Sequence, residues 1–217
     1  SGTVKVINLD NYQVIKSIEV GQGPNQLLLH NNQVYVANGG GLGYDNTVVV
    51  IDPLTDTVVK TIVVGDNPSS LAVDANDQIW VAGSGRVVFD PVDFFVIEEE
   101  STPGFIARLE NDEVVLKLDV DQISSGPGNI TASSTGQSMY FLYDSQVYEM
   151  GINDSDMPVT PLFEGRYYGL SVDPVSGELV TGQAPNFSDD GTFSRHTAAG
   201  ELIETYTVGI APNGFAF

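Results

Sequence analysis

The stretches "VKVINLDNYQVIKSIEVGQGPNQL" (residues 4–27) and "VVVIDPLTDTVVKTIVVGDNPSSL" (residues 48–71) are two copies of one pattern. Their offset is 44 residues, and ten of 24 aligned positions are identical: Val4/Val48, Val6/Val50, Ile7/Ile51, Val14/Val58, Lys16/Lys60, Ile18/Ile62, Val20/Val64, Gly21/Gly65, Pro24/Pro68 and Leu27/Leu71. The identities fall on β-branched positions and on a glycine–proline junction. What repeats is therefore strand and turn.

A period of roughly 40–45 residues is that of a four-stranded propeller blade. Residues 25–65 read as one such unit: "NQLLLH" as strand A, "QVYVAN" as B, "NTVVVID" as C and "VVKTIVVG" as D. Asn31-Asn32 separates A from B, and Pro53-Leu54-Thr55-Asp56 separates C from D. No segment carries a sustained 3.6-residue apolar period, so helix is expected to be nearly absent. The D-to-A junction recurs as "GQGPN" (21–25), "GDNPS" (65–69), "GPGN" (126–129), "GRYYG" (165–169) and "GIAPN" (209–213). Glycine frees the backbone after strand D, and proline sets φ where strand A begins and no ladder N–H is needed.

The second unit carries an excursion between B and C, "RVVFDPVDFFVIEEESTPG" (86–104). The third unit reads "NITASS / SMYFLYD / QVYEMGI / VTPLFEG", which places its strand D at 159–165. The fourth reads "YGLSVDP / GELVTGQ / GTFSRHT / LIETYTVG". Strands C and D (3–8, 14–20) precede these four units, and a lone A strand, 213–217, follows them. The expected fold is all-β: a β-propeller of four-stranded antiparallel blades forming one domain over 1–217. Such rings close by building one blade from both termini. The ring is then either five-bladed, lacking only strand B of that blade, or larger with whole blades upstream; the expectation is the second, a seven-bladed ring with upstream residues outside this sequence.

Composition narrows the function classes. Eight Lys+Arg against 29 Asp+Glu give a formal charge of −21. A nucleic-acid binder needs basic groups to displace counterions, so this class is excluded. Zero cysteines remove disulfides, thiolate metal sites and a Cys nucleophile. Two histidines, His30 and His196, leave little for a histidine-based zinc site, and structural or exposed roles are expected for both. No apolar run reaches the ~18–20 residues that span a bilayer, and no export signal lies within the sequence. "DDG" (189–191) and "NDSD" (153–156) offer oxygens to calcium but lack the twelve-residue calcium loop, so they read as exposed turns.

The segment "VYVANGG" (34–40) followed by "NTVVVIDPLTDTVVKTIVVGDNP" resembles the YVTN-type propeller repeat. "IWVAGSG" with its long insert, "LSVDPVSGELV" and "GTFSRHTAAGELIETYTVGIAPNGFAF" are similar to YncE-like propellers of the bacterial cell envelope, in particular a surface-lipoprotein group of Bacteroidetes-type bacteria. The resemblance covers essentially the whole chain. It implies an exported cell-surface or periplasmic protein; a non-enzymatic role is expected because no D–A junction offers an acidic residue in a convincing calcium-ligand set. Some members of that group capture a corrinoid and hand it to an outer-membrane transporter. The resemblance thus implies a small ligand or a surface protein complex as partner.

Candidate site residues follow from the blade assignment. Asn25, Asn129 and Asn213 sit at or just beyond the D–A junction, where innermost strands begin beside a propeller's channel, although each amide could equally serve its own turn. Asn38 ends strand B of the first unit. The loops "NGGGLGYDN" (38–46), 83–105 and "QAPNFSDDG" (183–191) occupy the same face. They and the neighbouring junction contribute Tyr44, Arg86, Phe94, Phe95, Tyr168 and Phe187 as expected ligand contacts. Trp80, within a strand B, reads as packing between blades. No catalytic residue, metal ligand or cofactor is expected, since "GxSxG" is absent and neither histidine has a nucleophile partner. The alternative is a calcium-dependent lactonase-like hydrolase, similar at "NPSSLAVDANDQIWVA".

Overall fold

Alternating β-branched and aromatic residues between Asn, Asp and Gly turns give seventeen strands in the computed structural model, which describes residues 2–123, 125–186 and 188–217. β1 (Thr3–Ile7) pairs with β2 (Val14–Glu19). β3 (Pro24–His30), β4 (Gln33–Asn38), β5 (Thr47–Asp52) and β6 (Thr57–Val63) form an antiparallel sheet in chain order. The same order holds for β7 (Pro68–Val73), β8 (Ile79–Gly83), β9 (Phe105–Glu110) and β10 (Glu113–Asp119). β11 (Gly128–Ala132), β12 (Ser138–Tyr143) and β13 (Gln146–Gly151) make a three-stranded sheet. β14 (Gly169–Val172), β15 (Leu179–Gln183), β16 (Asp190–His196) and β17 (Leu202–Ile210) make the last four-stranded one. Among the described residues the one helical segment is a single 3₁₀ turn at Glu98–Glu100.

Tight two-residue turns set the registers. Asn31-Asn32, Asn111-Asp112 and Asp144-Ser145 each place both residues at positive φ, between 48° and 62°, joining β3 to β4, β9 to β10 and β12 to β13. That is the type I′ geometry whose twist matches adjoining strands, and Asn and Asp tolerate it best after glycine.

The chain divides into two compact units: Ser1–Leu71 with Val81–Gly126, and Ala72–Trp80 with Pro127–Phe217. In the first, Ile18, Val36, Val49 and Ile51 form a buried cluster that Val4, Val6, Val20 and Val34 cover. Five of these eight, Val4, Val6, Ile18, Val20 and Ile51, are positions that the repeat shares. The Gln26 side chain clasps the Leu71 backbone, accepting from its N–H at 2.8 Å and donating to its carbonyl at 3.1 Å. In the second, Trp80 is fully buried, and its indole N–H donates to Asp74 Oδ2 at 2.9 Å. Asp74 Oδ1 also accepts from the N–H groups of Asn76 and Gln78, so one carboxylate closes the β7–β8 turn and anchors the tryptophan.

Two strand expectations are corrected. Residues 159–165 do not form a strand; β13 meets this segment at one bridge, Val147 to Phe163. Pro158 and Pro161 remove the ladder donors a strand would need there. Leu162 and Phe163 instead fold onto the cluster of Tyr140, Leu142, Val147, Leu170, Val172 and Leu179. Phe163 stacks on the buried His196 ring, with centroids 4.4 Å apart and planes at 18°. Asp154 Oδ2 accepts from Gly151 N–H at 2.7 Å and so covers part of the β13 edge.

Residues 213–217 also form no strand. β17 runs on to Ile210, Ala211 takes φ 50°, and the chain then lies across β14 and β15. The close approach requires glycine: a Cβ at Gly169 would fall 2.8 Å from the Asn213 carbonyl oxygen, and one at Gly182 only 2.2 Å from that of Pro212. An A strand pairs through its own B strand, and no such partner occurs among the described residues.

Candidate functional site

In the first unit the loop after β4, the β6–β7 junction and the segment after β8 come together, and Asp45 organises them. Its Oδ1 accepts from the Thr47 N–H at 3.0 Å and the Thr47 hydroxyl at 2.6 Å. Its Oδ2 accepts from Gln22 N–H at 2.6 Å, and its carbonyl accepts from Asn67 N–H at 2.7 Å. Asn67 sits in the left-handed region at φ 55°, as its repeat equivalent Gly23 does at φ 58°. Its amide donates to the Gly85 carbonyl at 2.7 Å, and its carbonyl accepts from Ser84 N–H at 3.1 Å.

Residues 86–102 are an ordered hairpin. Arg86 and Thr102 exchange backbone hydrogen bonds at 3.1 and 2.8 Å, and Ile97 N–H reaches the Val88 carbonyl at 2.8 Å. Its base is pinned by Asp66: the Thr102 hydroxyl donates to Asp66 Oδ2 at 2.9 Å, and Arg86 Nε lies 3.6 Å from the same oxygen. The Arg86 guanidinium stands over the Tyr44 ring, 5.4 Å from its centroid, in cation–π range. The Tyr44 hydroxyl donates to the Val87 carbonyl at 3.1 Å, closing the link between loop and hairpin.

Between these segments opens a groove of about 440 Å³, lined by Gly41, Leu42, Gly43, Tyr44, Asn67, Ser84, Gly85, Val87, Ser125 and Gly126. Much of the lining is main chain. Gly40, at φ 76°, leaves no room for a side chain: a Cβ there would lie 2.6 Å from the Gly43 carbonyl and 2.7 Å from Asn67 Oδ1. Beside the groove, Asn38 is fully buried and donates to the Thr47 hydroxyl at 3.0 Å. The Oδ1 atoms of both Asn38 and Asn67 are buried without a hydrogen-bond partner. An acceptor left unmade in this way costs about 1–3 kcal/mol, and of the two it is Asn67 that lines the groove, where a ligand donor would satisfy it. The arrangement can stack a planar group on Tyr44 and hydrogen-bond a ligand through backbone, hydroxyl and amide groups.

Asn25, Asn38, Tyr44 and Arg86 therefore share the first unit. Asn25 is engaged structurally, its amide donating to the Ser69 carbonyl at 3.1 Å. Asn129, Tyr168 and Asn213 belong to the second unit. Asn129, at φ 51°, occupies an irregularity in the β11–β12 register, a position its tolerance of the left-handed region explains. Tyr168 donates its N–H to Gly182 at 2.7 Å, next to the Gly169 that the Asn213 peptide crosses. Phe187 lies outside the described residues. Phe94 and Phe95 are exposed at the hairpin tip and do not line the groove. Sequence reasoning passed over Asp45, Asp66 and Asn67. The signal for Asn67 was the residue before the junction proline, Gly in one copy and Asn in the other, the two residues that best accept positive φ.

A second groove, about 450 Å³, lies in the other unit at the opposite strand ends, among the hydroxyls of Ser133, Ser134, Thr135, Ser138 and Ser176. Among the described residues, no group of three or more His, Cys, Asp or Glu side chains is placed to hold a metal ion. None of their helices is long and apolar enough to cross a membrane.

A family model described as a domain of unknown function, DUF5074, matches residues 1–209. No curated protein matches the chain. Among solved structures, a Kuenenia stuttgartiensis hydrazine synthase chain superposes with a TM-score of 0.64 at 16% identity, covering 97% of this chain and 70% of its own. A quinonprotein alcohol dehydrogenase-like protein from Bacteroides thetaiotaomicron gives 0.65 at 15% identity, with 96% and 51% covered. The Dos1 propeller gives 0.65 at 12% identity, with 96% and 56% covered. Likeness at these identities shows the fold, and the fold is a β-propeller. The chain spans 51–70% of the length of these three neighbours.

Proposed function

The chain belongs to the DUF5074 family, and we propose that it is a non-catalytic binding module of the bacterial cell envelope that holds a small ligand or a partner protein on its loop side. The observation that carries this reading is the groove of the first unit. There a glycine-built backbone, the Tyr44 ring that Arg86 backs and the unpartnered Oδ1 of Asn67 line about 440 Å³. Ligand pockets commonly fall in the range of ~300–1,000 Å³ and combine an aromatic wall with a few placed polar groups.

The sequence resemblance adds the finer terms of the proposal: a surface lipoprotein in a seven-bladed ring, a corrinoid as ligand and an outer-membrane transporter as partner. A groove of this size would grip one edge of a corrinoid, with an amide N–H of its side chains donating to Asn67. The lactonase alternative calls for a carboxylate and amide cage around calcium. The carboxylates beside the groove are instead engaged, Asp45 by Thr47 and Gln22, and Asp66 by Thr102 and Arg86.

Calorimetric titration with cyanocobalamin tests the ligand, run beside a lactone panel with and without calcium. The proposal expects binding that Tyr44→Ala weakens about tenfold, the loss of roughly 1.4 kcal/mol of contact, and no turnover. Calcium-dependent lactone hydrolysis would replace this reading with the alternative. Binding indifferent to Tyr44→Ala would remove the groove from it.

A further inference from the structure

The hairpin that walls the groove carries a second surface at its tip, where residues 89–96 take no part in the lining. Within residues 89–96, Phe89, Val92, Phe94 and Phe95 are 54%, 84%, 74% and 72% exposed. Taking about 200 Å² for each aromatic side chain, this leaves roughly 500 Å² of apolar surface on one protrusion, near the upper end for the largest patch of a typical monomer. The tip is held in place: Asp90 N–H donates to the Phe95 carbonyl at 2.8 Å, and Phe94 N–H to the Asp90 carbonyl at 3.0 Å. Asp90 Oδ1 also caps the turn, accepting from Val92 N–H at 2.8 Å. A rigid tip loses little freedom on docking.

Its charge is one-sided. Asp90 and Asp93 lie within the tip, the exposed Glu98, Glu99 and Glu100 follow it in the chain, and no Lys or Arg occurs between Arg86 and Arg108. Side chains this exposed on a hairpin tip suit insertion into another macromolecule better than enclosure of a small ligand. Five carboxylates disfavour an anionic lipid surface and a second copy of the same acidic tip.

We propose that the 89–96 tip is a docking element for a protein whose surface offers an apolar pocket rimmed by Lys and Arg. The aromatics fill the pocket and supply most of the affinity, as buried aromatic anchors do. The carboxylates steer the encounter and set the partner's charge. This surface is separate from the groove and goes beyond the ligand reading above; it shares with it only the premise that the protein is a binding module.

A twelve-residue random peptide display library, selected on the intact chain at 50 mM NaCl with counter-selection on a Phe94→Ser/Phe95→Ser variant, tests the proposal. Enriched peptides should combine Lys or Arg with Leu, Ile or an aromatic. Synthesised singly, they should bind at least about tenfold more weakly to the double-serine variant. Glu98→Gln/Glu99→Gln/Glu100→Gln, or 500 mM NaCl, should weaken them severalfold. All substituted side chains are exposed, and an unchanged melting temperature confirms folding of both variants. Enrichment of peptides without basic residues, no enrichment over counter-selection, or binding indifferent to the variants overturns the proposal. So does tip-dependent binding to phosphatidylcholine or phosphatidylglycerol vesicles, or tip-dependent dimerisation in sedimentation. These variants leave Tyr44 and Asn67 intact, so failure here is distinguishable from failure of the groove to bind ligand.

Discussion

Replacing Asp74 with alanine should be among the most damaging single changes to the second unit. Asp74 is 5% exposed and Trp80 fully buried, so the indole N–H would lose its carboxylate acceptor at 2.9 Å where water does not readily replace it. Loss of a hydrogen bond to a charged group costs about 1.5–3 kcal/mol, and the two turn N–H groups of Asn76 and Gln78 add about 0.5–1 kcal/mol each. The expected destabilisation is about 3–4 kcal/mol. At roughly 2–4 °C per kcal/mol for a chain of this size, the melting temperature should fall by about 6–15 °C. Trp80 is the only tryptophan, so urea unfolding followed by its fluorescence reports on the perturbed site itself. Asp74→Asn keeps one acceptor oxygen and should cost about half as much. A midpoint for Asp74→Ala within 1 kcal/mol of wild type would refute the reasoning, as would equal losses for the two variants.

Two further outcomes follow from buried or pinning contacts. Burial, opposed by a smaller contribution from the Gly200 backbone, holds the His196 pKa below 6.5. The native state thus favours the neutral ring: its stabilising contribution is complete above pH 6.5 and declines as pH falls toward the lower native pKa. Urea midpoints at pH 7.5, 6 and 5 should fall less steeply in His196→Gln than in wild type, and parallel slopes would contradict this. Asp66→Ala removes the acceptor for Thr102 and the counter-charge of Arg86. Amide exchange in 86–102 should speed up several-fold while that of β4 and β5 is unchanged.

The fold was legible because the 44-residue offset repeats both the strand positions and the glycine–proline junction. Pro24 and Pro68 each begin the strand that the junction predicts. Where the repeat misled, pattern and backbone chemistry disagreed. Val159, Leu162 and Phe163 supply apolar residues where the repeat calls for a strand D, but Pro158 and Pro161 withhold the N–H groups that a ladder requires. "GFAF" matches the start of a strand A in composition, yet pairing depends on a partner that composition does not carry. At the site, Tyr44 and Arg86 were legible as large side chains on loops beside a scaffold. Asp45, Asp66 and Asn67 were not, because in so acidic a chain single carboxylates carry little information. Their importance lies in which N–H groups the folded backbone turns toward them.

The central claim is that the loop side of the first unit is a binding surface. Hydrogen–deuterium exchange of the full chain, with and without saturating cyanocobalamin, tests it most directly. Slowed exchange is expected at 41–44, 67, 84–87 and 125–126, with Tyr44→Ala needing about tenfold more ligand for the same protection. Protection confined to the hydroxyl-lined groove at 133–138, 176–178 and 197–198, or a footprint whose ligand dependence Tyr44→Ala leaves unchanged, would contradict it.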